Sequence, residues 1–67
     1  MNLKQMRLES GMKAIKIAEI LGISRMQLQN LENRKYKLTK SKVEKLSSIY
    51  QKSEMEIVLA AGGIKND

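Results

Sequence analysis

One segment of the chain, residues 25–33 (RMQLQNLEN), carries a group of side chains suited to hydrogen bonding with flat heterocycles. In a helix, at about 100° per residue, Leu28 and Leu31 would face one side and Met26 and Asn30 the other. An exposed helix face usually carries lysine–glutamate pairs, whereas this one carries amides, a thioether and an N-terminal arginine. Amides pair with adenine, a guanidinium pairs with guanine, and an apolar side chain packs on the thymine methyl. We therefore predict that four residues contact base edges, an ordinary polar surface being the alternative: Arg25, Met26, Gln29 and Asn30.

The segments around this group have the spacing of two short helices and a tight turn. Gly22-Ile23-Ser24 separates two amphipathic runs and leaves too little chain for any longer connection. Ala18 is small enough for two helix backbones to approach there, and Gly22 tolerates the positive φ that a chain reversal needs. The stretch 14–33 is therefore interpreted as a helix-turn-helix, a unit that commonly places its second helix in the DNA major groove.

Positive charge is concentrated on and just after the second of these helices. The chain has a net charge of +6, and residues 25–45 account for most of it with seven basic and two acidic residues. A solvated face is the plain interpretation of such a run. Its position beside a helix-turn-helix favours contact with phosphates instead.

Composition excludes several other classes of protein. Sixty-seven residues make one small domain, and the chain has no cysteine and no histidine. Disulfide scaffolds and zinc sites with Cys or His ligands are therefore excluded. No apolar run reaches the ~18 residues of a membrane span, and the N-terminus lacks the apolar region of a signal peptide. Because the sequence contains no pairing of nucleophile and base, we expect a protein that is not an enzyme. We also expect it to be cytoplasmic, with no cofactor, no metal and no membrane partner.

The periodicity of apolar residues predicts an all-α fold, a compact repressor-like domain over residues 1–61 with a short tail over 62–67. No segment alternates at period 2 with β-branched residues. Candidate N-caps precede the first, third, fourth and fifth helices at Asn2, Ser24, Thr39 and Ser53, and glycines follow three of the helices. The predicted helices span about 3–10, 14–21, 25–33, 40–51 and 54–61.

Residues 3–57 resemble the phage repressor/Cro (XRE-type) helix-turn-helix family. The positions that carry the resemblance are Arg7, Gly11, Ala18, Gly22 and Leu31-Glu32-Asn33. The resemblance implies a five-helix domain that binds operator DNA, usually as a homodimer. It also implies an ion pair between Arg7 and Glu32, which agrees with a Glu32 that faces inward, where an unpaired carboxylate would be costly.

Two departures from the family pattern concern contacts with the DNA backbone. Ala14 stands where the family has a glutamine that clamps a phosphate, and Lys13 beside it can replace part of that charge. Arg34 stands where the family has a glycine. It either strains a left-handed position by about 1 kcal/mol or ends the helix differently, and it adds a positive charge near the backbone. The residues expected to contact the DNA backbone are Lys13, Ser24, Gln27, Asn33, Arg34, Lys35, Lys37 and Lys40.

The C-terminal helix carries an apolar run longer than one small core needs. We expect Val58 and Leu59 to form a two-fold dimer contact, with burial against the first helix as the alternative. A chain that starts at Met1 and ends ten residues after Ile57 is expected to lack a sensing domain. The function that these features indicate is that of a small Cro-like transcriptional regulator of a mobile genetic element. The alternatives are an accessory DNA-binding protein of plasmid or phage DNA processing, and an antitoxin-type module that docks a protein partner.

Overall fold

The computed structural model describes residues 2–64, which fold into five helices with no strand among them. The helices are α1 (Leu3–Ser10), α2 (Ala14–Leu21), α3 (Arg25–Glu32), α4 (Lys40–Tyr50) and α5 (Glu54–Ala61). The all-α, five-helix prediction is therefore confirmed. Two helices end earlier than predicted, because Asn33 and Gln51 are the C-caps of α3 and α4.

Local hydrogen bonds explain where the helices begin. Reciprocal capping boxes join Asn2 to Gln5, Ser24 to Gln27, and Ser53 to Glu56. In each box two backbone N–H groups that the helix itself cannot satisfy find side-chain acceptors. The hydroxyl of Thr39 accepts from the backbone N–H of Lys42 at the start of α4. The second helix begins without a side-chain cap at Lys13.

A single apolar core lies between the helices. α2 packs against α3, α4 packs against α5, and α1 and α2 both contact α4. Ile49 of α4 is half-buried and packs on the edge of this core. The buried residues are Leu3, Met6, Ile17, Ala18, Leu21, Leu28, Leu31, Leu38, Val43, Leu46, Tyr50, Ile57, Ala60 and Ala61.

The chain just beyond α5 returns to the loop that joins α3 to α4. An isolated parallel β-bridge pairs Ile64 with Leu38, which is fully buried. The predicted tail over 62–67 therefore includes at least one residue in contact with the domain. Its last three residues lie outside the described range. No helix among residues 2–64 has the length and apolar character needed to cross a lipid bilayer.

Candidate nucleic-acid interface

The turn between α2 and α3 fixes the orientation of the third helix. Gly22 adopts φ 71°, and the backbone N–H of Ile23 donates to the carbonyl of Ala18 over 2.9 Å. This bond, with that from Gly22 N–H to Glu19 at 3.1 Å, closes α2 as a Schellman motif. Ala18 is 2% exposed, so its small side chain lies against the core. The predicted helix-turn-helix is present in the structure with its glycine in the left-handed region.

The outer face of α3 presents most of the residues expected to contact bases. Arg25, Met26 and Gln29 are exposed and line one concave surface beside Ala14 at the start of α2. Met26 is 71% exposed, so its thioether is free to contact a ligand. Asn30 is half-buried and does not line this surface. We call it the α2–α3 surface, and its lining residues are Arg7, Ala14, Ser24, Arg25, Met26, Leu28, Gln29 and Glu32.

A second concave surface lies on the other side of α3 and is strongly basic. Lys35 and Lys37 come from the loop after α3, and Lys42 comes from the first turn of α4. We call it the loop surface, and its lining residues are Ile23, Gln27, Leu31, Lys35, Tyr36, Lys37, Thr39 and Lys42. Three other residues expected to contact phosphates are exposed but line neither surface: Lys13, Asn33 and Lys40.

Two of the polar residues expected to contact DNA also cap α3. The Ser24 N–H donates to Gln27 Oε1 over 2.9 Å, and the Gln27 N–H donates to Ser24 Oγ over 3.1 Å. The side-chain carbonyl of Gln27 is therefore engaged, and its Nε2 is the remaining donor of that amide. Gln27 as the reciprocal partner could have been found in the sequence, since it stands three residues after a serine N-cap.

Arg34 ends α3 in a left-handed conformation, with φ 60°. The N–H of Lys35 donates to the carbonyl of Asn30 over 2.9 Å, and that of Arg34 donates to Leu31 over 3.1 Å. These two bonds define a Schellman motif in which Arg34 occupies the position usually held by glycine. Of the two outcomes considered for this substitution, the structure adopts the left-handed one. The Arg34 Nε donates to the carbonyl of Ala60 at the end of α5 over 3.2 Å.

A two-point ion pair connects α1 to the last turn of α3. The Arg7 Nε lies 2.7 Å from Glu32 Oε2, and Nη2 lies 3.2 Å from Oε1. The side chains are 17% and 6% exposed, so the charges are largely withdrawn from water. Hydrogen bonding to Glu32 raises the pKa of the Arg7 guanidinium. Burial, helped by the charge of Glu32, raises the pKa of Tyr50 to about 12.

The apolar run of α5 divides between the core and the surface. Ala60 and Ala61 are buried and Val58 is half-buried against the core, whereas Leu59 is 70% exposed. Met55, one turn before Leu59, is 73% exposed. The apolar surface left free on this helix therefore consists of Met55 and Leu59 with part of Val58. Leu59 was predicted from the sequence as a dimer contact, whereas Met55, which shares its face at i, i+4 spacing, was not.

Two residues of the loop surface, Tyr36 and Lys42, were not among the individual DNA contacts predicted from the sequence, although Lys42 belongs to the basic run 25–45. Tyr36 is 62% exposed between two lysines, and an aromatic residue within a basic loop was a signal that could have identified it. Among residues 2–64, no group of three or more His, Cys, Asp or Glu side chains is placed to hold a metal ion.

A helix capped at Ser24, held on a tight glycine turn and flanked by a basic loop, defines a helix-turn-helix DNA-binding domain. A family model described as Helix-turn-helix (HTH_3) matches residues 3–57. The chain belongs to this XRE-type helix-turn-helix family, whose domains bind DNA and are typically regulatory rather than enzymatic. No significant match was found among curated proteins or among solved structures.

Proposed function

We propose that the protein is a small Cro-like transcriptional regulator that acts in the cytoplasm and binds double-stranded DNA with α3 in the major groove. The observation that carries this proposal is the exposed face of α3, where an arginine, a thioether and amides replace the usual ion pairs. The basic loop surface lies directly beside it. Arginine and amide side chains on a recognition helix can discriminate between bases, whereas the lysines of the loop surface can bind any phosphate.

Sequence discrimination is assigned to Arg25, Met26, Gln29 and Asn30. Arg25 lies in the first turn of α3, the end of a recognition helix that commonly approaches base edges. The exposed thioether of Met26 leaves apolar area that contact with a thymine methyl would remove from water. The amides of Gln29 and Asn30 are suited to adenine, and the half-burial of Asn30 limits the rotamers from which it can do so.

Affinity without sequence preference is assigned to the residues that surround α3. Tyr36 and Lys42 join the expected set because both line the loop surface. If about six phosphates are neutralised, the logarithm of the binding constant should fall against the logarithm of salt concentration with a slope near −5. The proposed DNA-backbone contacts are Lys13, Ser24, Gln27, Asn33, Lys35, Tyr36, Lys37, Lys40 and Lys42.

A second copy of the chain is the proposed occupant of the exposed apolar face of α5. Met55, Leu59 and the outer part of Val58 would pair with the same residues of the partner about a two-fold axis. To bind two half-sites on one face of DNA, such a dimer would need its two α3 helices about 34 Å apart, the length of one DNA turn. A different protein bound at this face would instead favour the antitoxin-type alternative.

The function can be tested by selecting bound duplexes from a random pool and measuring affinity for the selected and a scrambled duplex. A palindromic consensus would support the dimeric regulator, and mapping the bound sites would separate promoters from a replication or transfer origin. Binding no tighter than that of a random polycation of equal charge would contradict the proposal.

Two substitutions separate base contacts from phosphate contacts. Asn30→Ala should weaken the binding free energy by about 1–3 kcal/mol on the selected duplex and by little on the scrambled one. Lys37→Ala should weaken both equally and reduce the salt slope by about 1. Lys4→Ala removes the same charge from an exposed site on α1, outside both surfaces, and serves as the control. Equal losses on both duplexes for Asn30→Ala would remove that residue from the base-contacting set.

A further inference from the structure

The short segment Gly62–Ile64 lies along the loop that carries the basic residues of the loop surface. Ile64 pairs with Leu38 at one end of this contact. Next to it, a Cβ added to Gly63 would lie 3.6 Å from the Cε of Lys37, so the Lys37 side chain passes over that glycine. At the other end, a Cβ on Gly62 would lie 3.3 Å from the Cδ of Arg34. The loop is therefore supported along its length by the chain that follows α5.

Arg34 makes the polar contact of this arrangement. Its Nε donates to the carbonyl of Ala60 over 3.2 Å. That carbonyl is in the last turn of α5, where helix carbonyls have no partner within the helix and where the dipole favours a cation. One side chain thus satisfies a group at the end of α5 while its own backbone closes α3.

The backbone conformation of Arg34 is one that glycine usually adopts, so the presence of an arginine there calls for compensating contacts. Glycine adopts a left-handed conformation freely, whereas a residue with a Cβ is strained there. Arg34 nevertheless holds φ 60° at the C-terminal position of a Schellman motif. A side chain that bonds to Ala60 and packs over Gly62 supplies contacts that a glycine would not make.

We propose that Arg34 is a positioning residue that fastens the phosphate-contacting loop to the end of α5, and not itself a phosphate contact. This inference deepens the proposed function and rests on it. Held in this way, Lys35 and Lys37 face the DNA from a loop that is already ordered before binding. If the loop is already ordered in the free protein, DNA binding does not have to offset the entropy cost of ordering it.

Substitution of Arg34 by glutamine separates its hydrogen bond from its charge. The Nε2 of glutamine stands at the same place along the side chain as the Nε of arginine, so Arg34→Gln keeps a donor for Ala60 and removes the positive charge. Arg34→Ala removes both and keeps a residue with a Cβ at the same backbone conformation. The two variants therefore share the loss of charge and differ in the hydrogen bond.

The first measurement is amide hydrogen exchange in the protein without DNA. The N–H groups of Lys35 and Gly63 close the helix ends that Arg34 joins, through bonds of 2.9 and 3.0 Å to Asn30 and Val58. In Arg34→Ala both should exchange about tenfold faster, whereas in Arg34→Gln they should stay within about twofold of the parent protein. The amide of Lys52, which closes α4 through Ser47, is the internal control and should not change.

The second measurement is DNA affinity as a function of salt concentration. Arg34→Ala should weaken binding about tenfold and leave the salt slope unchanged, and Arg34→Gln should bind within about threefold of the parent protein. Equal weakening in both variants, with the slope reduced by about 1 and amide exchange unaltered, would show a phosphate contact and overturn the inference. If the parent protein binds no duplex, the proposed function fails, while the exchange data still test the role of Arg34 within the fold.

Discussion

The ion pair between Arg7 and Glu32 leads to a prediction about how strongly α3 is anchored. Arg7→Met replaces the aliphatic part of the arginine with an apolar side chain of similar length and removes the guanidinium with its charge. In the parent protein the Glu32 side chain is 6% exposed and lies 2.7 Å from the Arg7 guanidinium, and the variant leaves this carboxylate without its partner. Removal of one member of a buried pair costs about 3–5 kcal/mol, because it leaves the other charge uncompensated. A domain of this size has a total free energy of unfolding of roughly 3–10 kcal/mol, so the variant should lose about a third of it or more.

The assay is thermal and urea unfolding of four proteins, followed by circular dichroism. Arg7→Met should lower Tm by about 12 °C or more, at roughly 4 °C or more per kcal/mol for a domain of this size. The double variant Arg7→Met with Glu32→Met should recover to within about 1 kcal/mol of the parent protein or exceed it, since an apolar pair avoids the desolvation penalty. Lys4→Met, an exposed change of the same kind on α1, should stay within about 0.5 kcal/mol.

Two results would refute this reasoning. A loss below about 1 kcal/mol for Arg7→Met would show that the pair behaves as a solvated surface pair. A double variant no more stable than Arg7→Met would show that removing the Glu32 carboxylate does not relieve the loss, contrary to the coupling expected of contacting residues. If the double variant is stable and still binds DNA like the parent protein, the pair is a structural anchor and not part of the DNA contact.

Three further predictions concern pH, base recognition and assembly. The pKa of Tyr50 is raised to about 12 from 10.0 in the folded protein. As pH rises, the Tyr50 hydroxyl therefore ionises at a lower pH in the unfolded state than in the folded state. The free energy of unfolding should therefore fall by roughly 2 kcal/mol as pH rises from 10 to 12. Unfolding measured across that range should show this loss in the parent protein but not in Tyr50→Phe. The same pH dependence in both proteins would contradict the assignment to Tyr50. Arg25→Lys keeps the charge and loses the two-pronged guanidinium, so discrimination at one guanine should fall by about 1–3 kcal/mol with the salt slope retained; a reduced slope would indicate a phosphate contact instead. Leu59→Asp should lower the sedimentation-derived dimer fraction and Ser48→Asp, an exposed change on α4, should not; a parent protein that is monomeric both free and on DNA would rule out the dimer.

The starts of the helices could be predicted from the sequence because they depend on local chemistry. Asn2, Ser24, Thr39 and Ser53 each cap a helix through a backbone N–H three residues ahead, and such spacing is visible in a sequence. Helix ends were less predictable. α3 and α4 stop one residue earlier than expected because Asn33 and Gln51 cap them, and Gln51, with φ 54°, is not a glycine.

The contacts that could not be predicted join residues far apart in the chain. The hydrogen bond from Arg34 to Ala60 and the bridge from Leu38 to Ile64 each span 26 residues, and no periodicity or spacing signals them. The pairing of Arg7 with Glu32 was expected from the family resemblance, since the helical wheel placed Glu32 inward but identified no partner. The candidate base-contacting residues followed from residue type on one face of α3, whereas Tyr36 was missed because no rule of helix periodicity applies to a loop.

The shortness of the helices has a consequence for how the protein works as a molecule in the cell. Four of the helices have eight residues and α4 has eleven, and isolated helices below about 12–15 residues are marginal in water. A peptide covering α3 would therefore be largely unstructured, and the domain should unfold in one all-or-none step. Helical domains with mostly local contacts fold within roughly microseconds to milliseconds. No helix of this domain is therefore expected to keep its structure when separated from the others, and a newly made chain should fold before it can meet a second copy.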